Sequence, residues 1–427
     1  PETFRGFDHA AMMRRLAPRL PDLRFVATVR ATQPDGDSYE ALVGGDAPPP
    51  RLPRVDPDAV KILMYTSGTT GRPKGVLHSH NTLARALLEP VRYWGIRDGA
   101  TFLMASPVTH VTGYSCGIEM PFLCGTRTVL MERWDAAEAV GIVERHGVEA
   151  TVSATPFLQE LVAEAERQGR ALPTLRAFAC GGAEVPPDLI RRAHAVLANC
   201  RAFRVYGSSE APFITLGFLG VGEQDFAAQT DGRIVDYEVI VVDDEGHELP
   251  AGAEGEICAR GPALFLGYAD AAQTAESFDA QGFFHTGDVG RVTPQGAVVI
   301  TGRKKDLINR GGEKVSAKEV EDLVHAHPAV QEAAVVSMPH PRLGETVCAY
   351  VIAKPGESVT LDALLRVAEA AGVAKQKHPE RLVLIDQLPR TASGKIRKDR
   401  LREDIRERLR LERDGAQSSS GRGSIRG

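Results

Sequence analysis

From Leu23 to Tyr206 the chain alternates short apolar or β-branched runs with stretches of helical periodicity, and that alternation leaves few folds open. The runs are AVKILMY, TFLMAS, TRTVLM, ATVSAT, LRAFACGG and AFRVYG; between them stand DAAEAVGIVERHG, PFLQELVAEAERQG and PPDLIRRAHAVLA. A strand that is apolar throughout has no face to offer water, so both its faces must be covered, and the intervening helices supply the cover. The pattern predicts an α/β architecture built on a doubly wound, mostly parallel sheet. A chain of 427 residues is long enough for two or three such domains.

Residues 232 to 301 read differently. YEVIVVD, GEICARG and AVVITG follow at hairpin-like spacing, separated by Gly, Asp and Pro turns, which predicts a small antiparallel β region. After GRKKD, at 302 to 306, the texture changes again: Ser316 with Glu319 three positions on has the form of a capping box, and Val320, Leu323 and Val324 give the helix its apolar stripe. AAVVSM, TVCAYVIA and RLVLID read as strands of a compact α+β unit closed by the helix KDRLREDIRERL. The expected division is a large domain over 1–301, β-rich from about 216, a small domain over 302–410, and a disordered tail over 411–427 that ends in a Ser/Gly-rich stretch.

Charge and cysteine usage narrow the partners. A net charge of −5 with no long single-sign block argues against nucleic acid or an anionic membrane as the main partner. No segment approaches the roughly 18 apolar residues of a membrane span. The six cysteines are scattered, without a C-x-x-C pair or zinc-ligand spacing, and are expected to be buried thiols of a reducing compartment, the cytoplasm.

One loop is too unusual for an ordinary turn. YTSGTTGRPKGV, residues 65 to 76, follows a strand with glycines and hydroxylated residues and carries Lys74. Backbone N–H groups and hydroxyls around such a concavity bind anions, phosphates above all, and the lysine supplies the counter-charge. It is not a Walker A loop, because Lys74 follows Pro73 and precedes Gly75, with no Ser or Thr after it. That disfavours a P-loop kinase or ATPase.

YTSGTTGRPKGV resembles the phosphate loop of the adenylate-forming (AMP-binding) superfamily. Further motifs of that family stand in its order: GGAE at 181–184, YGSSE at 206–210, HTGD at 285–288, GRKKDLINRGGEKVSAKEVE at 302–321 and PRTASGKI at 389–396. The resemblance covers nearly the whole chain and is nearest to acyl-CoA and aryl-acid ligases, such as cyclohexanecarboxylate-CoA ligase, medium-chain fatty acyl-CoA ligase and 2,3-dihydroxybenzoate-AMP ligase. It implies an acid-thiol ligase that joins a carboxylate to ATP, releases pyrophosphate and passes the acyl group to CoA, with Mg²⁺ as cofactor. The alternatives left open are an aryl-acid adenylating enzyme that loads a carrier protein, a luciferase-like oxidation and a non-catalytic nucleotide-binding homologue. In the family a longer stretch of chain precedes the loop, so the large domain is expected to be truncated at its start.

The resemblance also assigns residues. Thr66, Ser67, Gly68, Thr69, Thr70, Gly71 and Lys74 would cradle the β- and γ-phosphates, and Glu210 with Thr70 would hold Mg²⁺, since a hard cation takes oxygen ligands. Tyr206, Gly207, Ser208 and Ser209 would line the nucleotide, with Tyr206 and the backbone of Gly181, Gly182 and Ala183 against adenine. Asp288 and Arg303 would hold the ribose hydroxyls, as an acceptor and a forked donor can. Lys395 corresponds to the adenylation lysine and Lys305 to the hinge of a mobile C-terminal lid, while Gly311 and Gly312 would line a pantetheine tunnel.

The acid itself is expected to lie along residues 104 to 122 and SATPF, with His110 beside the carboxylate. Amino-acid-activating members usually place an Asp in this segment, and none occurs between Pro107 and Ile118. A buried ammonium without a partner is costly. The expected substrate is a medium-chain fatty, alicyclic or aryl acid.

Overall fold

The computed structural model describes residues 1–4, 6–30, 38–44, 51–66, 73–183, 185–390 and 396–420, with side chains described to 412. It divides into two compact units, Pro1–Asp56 and Pro57–Gly427. In the first, Thr3–Phe4 pairs antiparallel with Phe7–Asp8. Its helices His9–Leu16 and Tyr39–Val43 are capped by Asp8 and Ser38, whose side chains accept from the N–H groups of Ala11 and Ala41.

The second unit is organised around five parallel strands. In spatial order they are Arg127–Leu130, Thr101–Met104, Ala150–Ser153, Ala177–Gly181 and Arg201–Val205. Numbered along the chain this is the order 2-1-3-4-5, so the winding reverses between Thr101–Met104 and Ala150–Ser153. Parallel crossovers are almost always right-handed, so a reversal sends the connecting helices to opposite faces of the sheet. The contacts agree: Ala136–His146, Thr155–Gln168 and Pro187–Val196 pack in a row, while Met120–Cys124 packs with His80–Tyr93. Phe102, Leu103, Met104, Phe178 and Phe203 are buried between the layers.

Five of the six predicted strands form this sheet; AVKILMY does not. Val60–Thr66 pairs antiparallel with Lys74–Ser79, which also pairs with Gly267–Tyr268. The run is not buried throughout either. Ile62 and Met64 join Leu83 and Val111 in an apolar cluster, whereas Val60, Leu63 and Tyr65 are exposed. An apolar run carries no information about strand direction, and its true partner lay beyond the glycine loop.

The β-rich region is an antiparallel sheet of Glu238–Val242, Gly255–Arg260, Phe284–Val292 and Val298–Arg303. One carboxylate ties it to the parallel sheet: Asp231 accepts Arg204 at 2.6 Å through Oδ1 and the Ile300 N–H at 2.8 Å through Oδ2. Apolar clusters drawn from residues 62–300 are separate from those drawn from 308–409.

In the smaller domain the strands run Glu313–Ser316, Leu307–Arg310, Gly344–Ala353 and Val330–His340, and Arg381–Leu384 lies parallel to Gly344–Ala353. Alternation along Val330–His340 serves two cores. Ala333 and Val335 pack with Val320 and Val324, while Ala334, Val336 and Met338 pack with Leu401 and Ile405. Ser316 caps Ala317–His325 by accepting the Glu319 N–H at 3.3 Å, but Glu319 takes Lys377 at 2.6 Å instead of completing a capping box. The last helix, Lys398–Ser420, continues past the expected boundary at 410. Leu409 packs on the core, and Glu412 pairs with Arg381, which carries the helix onward. Residues 421–427 lie outside the described residues.

Because Arg204 is buried and Asp231 nearly so, Asp231→Ala strands a charge and should lower unfolding stability by about 3–5 kcal/mol in urea titration. A loss under about 1 kcal/mol would show that the two sheets do not depend on this carboxylate.

Candidate active site

Ligands of open α/β sheets bind beyond the carboxyl ends of the strands, at the point where strand order reverses. Here that point lies between the segments carrying His110 and Thr155, which follow Thr101–Met104 and Ala150–Ser153. Two further segments leave the same edge. Gly181-Gly182-Ala183 ends one strand and Tyr206–Glu210 follows the next. Gly181 must be glycine, since a Cβ would stand 2.3 Å from the Val205 carbonyl oxygen. Gly207 is equally confined: its Cβ would meet the Phe213 nitrogen at 2.5 Å. The turn closes with Ser208 N–H donating to the Ala211 carbonyl at 3.0 Å and Ala211 N–H to Ser208 Oγ at 3.2 Å.

That turn aims Glu210 at a tyrosine the sequence did not single out. Tyr268 donates its hydroxyl to Glu210 Oε1 at 2.9 Å, and the Lys74 ammonium sits 4.5 Å from the centre of the Tyr268 ring. Lysine and glutamate are thus bridged by an aromatic ring instead of paired directly, a cation–π contact on one side and a hydrogen bond on the other. Burial, and then the Glu210 charge, push the Tyr268 phenol well up, so it stays a neutral donor. Tyr268 belongs to a two-residue strand, too short to show any periodicity.

His78 supports the turn from beneath. It is fully buried, with Nε2 2.7 Å from the Ser209 carbonyl oxygen and Nδ1 3.0 Å from Thr82 Oγ1. A carbonyl only accepts, so Nε2 carries the proton and Nδ1 accepts from the threonine. Burial pushes the His78 imidazole below its ordinary value, ahead of the opposing pull of the Ser209 carbonyl and the Glu210 charge.

A second constellation stands on the antiparallel sheet. Asp288 and Arg303 are cross-strand partners and form an ion pair, with Arg303 Nε 2.9 Å from Asp288 Oδ1. Tyr206 donates its hydroxyl to Asp288 Oδ2 at 2.8 Å. Burial, followed by the Asp288 charge, raises the Tyr206 phenol far above its usual range, while Asp288 first of all raises Arg303. Glu256, also missed, braces the region: it takes Lys304 at 2.8 Å, His285 at 3.2 Å and the Gly287 N–H at 3.2 Å. An acidic residue within an alternating strand gives no sign of such a role.

Lys305 lies on the turn Lys304–Asp306 and is lowered by burial first and then by Arg303. Its neighbour Asp306 pairs with Arg402 of the last helix. Gly311 and Gly312 form the two-residue turn between Leu307–Arg310 and Glu313–Ser316, both at positive φ (63° and 95°). This is the hairpin turn that glycine favours. A cavity of about 380 Å³ opens there, lined by Arg310, Gly311, Glu313, Leu343, Lys375 and Gln376. His110 caps Val111–Tyr114, its Nδ1 accepting the Thr112 N–H at 3.3 Å. Thr66 Oγ1 lies 3.5 Å from the Lys74 carbonyl oxygen. Ser67, Gly68, Thr69, Thr70, Gly71 and Lys395, with Glu184 of GGAE, lie outside the described residues.

The structure therefore joins Lys74, Glu210, Ser209, Tyr206, Asp288 and Arg303 through one turn. A single half-buried carboxylate such as Glu210, of which Tyr268 engages Oε1, suits Mg²⁺ held mainly by substrate phosphates and water. No group of three or more acidic, His or Cys ligands occurs among the described residues, so the donors here do not form an all-protein metal cage.

Comparison with known proteins adds independent findings. The profile of the AMP-binding enzyme family matches residues 5–269, and that of the AMP-binding enzyme C-terminal domain matches residues 319–395. The chain is 39% identical over 355 residues to a medium-chain fatty-acid–CoA ligase of Escherichia coli, covering 82% of this chain. It spans only 62% of that relative. It is 34% identical over 420 residues to a salicylyl-CoA synthase / salicylate adenylyltransferase of a Streptomyces species, covering 95% of this chain and 75% of the relative. Among solved structures, ATP-bound MatB from Rhodopseudomonas palustris superposes with a TM-score of 0.75 at 30% identity, over 82% of this chain and 69% of the other.

The lowered His78 value has a sign that can be checked. Below about pH 6.5 an unfolded histidine takes up a proton that the folded one refuses, so stability falls as pH drops, by up to about 1.4 kcal/mol per unit for one group. Urea unfolding at pH 7.5 and 5.5 should show a smaller decline for His78→Gln than for the parent chain. Equal declines would mean that His78 protonates freely in the folded state.

Proposed function

This chain belongs to the AMP-binding enzyme family, and from that premise we propose that it activates a carboxylic acid with ATP and transfers the acyl group to CoA. In the first half-reaction a carboxylate oxygen attacks the α-phosphorus, forming acyl-AMP and expelling pyrophosphate. In the second the CoA thiol displaces AMP and leaves as the thioester. The observation that carries this reading is the single turn 206–210, which joins a lysine–tyrosine–glutamate group to a tyrosine–aspartate–arginine group.

Each group meets one demand of bringing two anions together. Lys74 sets positive charge where phosphates would lie, and Asp288 with Arg303 fixes the ribose, so the α-phosphate is held in place for attack. Glu210 would hold Mg²⁺, which supplies further positive charge to the phosphates when bound. Lys395 is proposed to reach the carboxylate and α-phosphate as charge builds between them. Lys305, on a short turn between the two domains, is proposed as the pivot that exchanges Lys395 for the thiol. Burial raises all six cysteine thiols, Cys180, Cys200, Cys258 and Cys348 to about 12, which supports an external acceptor, CoA or a carrier-protein pantetheine.

The acid is proposed to be medium-chain, alicyclic or aryl, lying at the sheet's reversal point between the His110 and Thr155 segments. The reaction is proposed to take place in the cytoplasm. Among the described residues no helix is long and apolar enough to cross a membrane.

Pyrophosphate exchange with a panel of acids, followed by mass spectrometry with CoA, tests the whole reading. Acid-dependent exchange and a thioester product are expected; adenylate without thioester would reassign the acceptor to a carrier protein. Lys395→Ala should abolish exchange while calorimetry still finds ATP bound. Lys305→Pro should spare exchange yet slow thioester formation, and equal loss of both half-reactions would remove the pivot.

A further inference from the structure

Lys305, the proposed pivot, stands between two half-buried ion pairs that tie its neighbours to different domains. On its N-terminal side Lys304 reaches Glu256 at 2.8 Å; Glu256 is 8% exposed and sits on Gly255–Arg260, an inner strand of the antiparallel sheet. Glu256 is itself fixed, taking the Gly287 N–H and His285 at 3.2 Å each. On the C-terminal side Asp306 pairs with Arg402, 14% and 19% exposed. Arg402 Nη2 also lies 3.5 Å from the Lys305 carbonyl oxygen. The helix that carries Arg402 is fastened to the smaller domain by Leu401 and Ile405 in its core and by Lys398, 2.8 Å from Glu321.

Each pair assigns one neighbour of Lys305 to one domain. Lys304 is held to the large domain although it follows the expected boundary at 301. Asp306, with the peptide that joins it to Lys305, is held to the helix that begins three residues after Lys395. Peptide planes are stiff, so what stands between the two anchors is φ and ψ of Lys305. An unanchored turn would spread a reorientation over several residues and end in many arrangements. We propose that Glu256 and Arg402 are positioning residues that confine the domain rotation to Lys305, Glu256 by holding Lys304 and Arg402 by holding Asp306. The smaller domain then moves as one piece between two defined orientations. This rests on the two half-reactions and the pivot proposed above. Half-buried charge pairs suit the task, because separating one strands charge out of water, whereas an exposed pair such as Lys314–Asp244 yields easily.

The test combines each pair with Lys305→Pro on the full chain and follows pyrophosphate exchange and acyl-CoA formation with octanoate, cyclohexanecarboxylate and benzoate. Lys304→Gln opens the first pair from its exposed end and leaves Glu256 its other partners; Arg402→Gln opens the second. In the parent background each should lower kcat for acyl-CoA by roughly 3- to 10-fold with little change in the KM for ATP, since orientation is lost and the nucleotide site is not. Lys304→Arg should keep the parent rate. Combined with Lys305→Pro, which locks φ at the pivot, the same two Gln substitutions should act in the opposite sense and raise acyl-CoA formation by about 3-fold or more, because the freed neighbours take up the rotation. Ion pairs that only stabilise the fold would lower the rate in both backgrounds. That outcome would overturn the inference, and so would no change in either. If Lys305→Pro alone leaves acyl-CoA formation intact, the pivot and this inference fall together while exchange still reports acid activation. Absence of exchange with all three acids in the parent chain would bring down the proposed function itself.

Discussion

The backbone of Ser209 and Glu210 is held from two sides, and the site depends on it. His78 donates to the Ser209 carbonyl from the sheet that carries Lys74, and the Phe265 N–H donates to the Glu210 carbonyl at 2.8 Å. The turn itself springs from the end of the parallel sheet, and Tyr206 at its start reaches the antiparallel one. Three sheets therefore meet at five residues. Buried hydrogen bonds to backbone carbonyls are well suited to this task, since they fix position without adding charge.

The same turn sets the electrostatics. Two tyrosines whose phenols are pushed up by burial each donate to a carboxylate, Tyr206 to Asp288 and Tyr268 to Glu210. A neutral donor steadies a carboxylate without cancelling its charge, as an ion pair with lysine would. In the proposed function Glu210 would then serve the metal and Lys74 the phosphates. Lys74 and Glu210 are thus kept apart by the Tyr268 ring, whereas Asp288 and Arg303 pair directly.

Much of this was legible in the sequence. Short apolar runs and helical periodicity announced the parallel sheet, and Gly181, Asp288 and Arg303 stood in motifs that the structure places together. The errors share a cause. AVKILMY reads as a buried parallel strand yet pairs antiparallel, because hydrophobicity reports burial only loosely and direction not at all. Tyr268 and Glu256 went unnoticed because each acts through a partner distant in sequence: Glu210 is 58 residues from Tyr268, and Lys304 is 48 from Glu256. The last helix continues past the expected boundary at 410, and Leu409 and the Arg381–Glu412 pair tie it to the domain.

Beyond the Lys305 turn, two polar contacts among the described residues join the smaller domain to the larger. Lys314 pairs with Asp244, both about half exposed, and Ser316 Oγ donates to the Thr301 carbonyl at 2.6 Å. An exposed ion pair contributes little, so the proposed rotation about Lys305 would cost mainly the Ser316–Thr301 hydrogen bond. The central claim is that a carboxylate oxygen attacks the α-phosphorus of ATP. It is tested most directly by supplying an acid labelled with ¹⁸O in both carboxyl oxygens, together with ATP and CoA, and weighing the nucleotide product. One labelled oxygen in AMP is the predicted result; unlabelled AMP, or ADP in its place, would contradict the account.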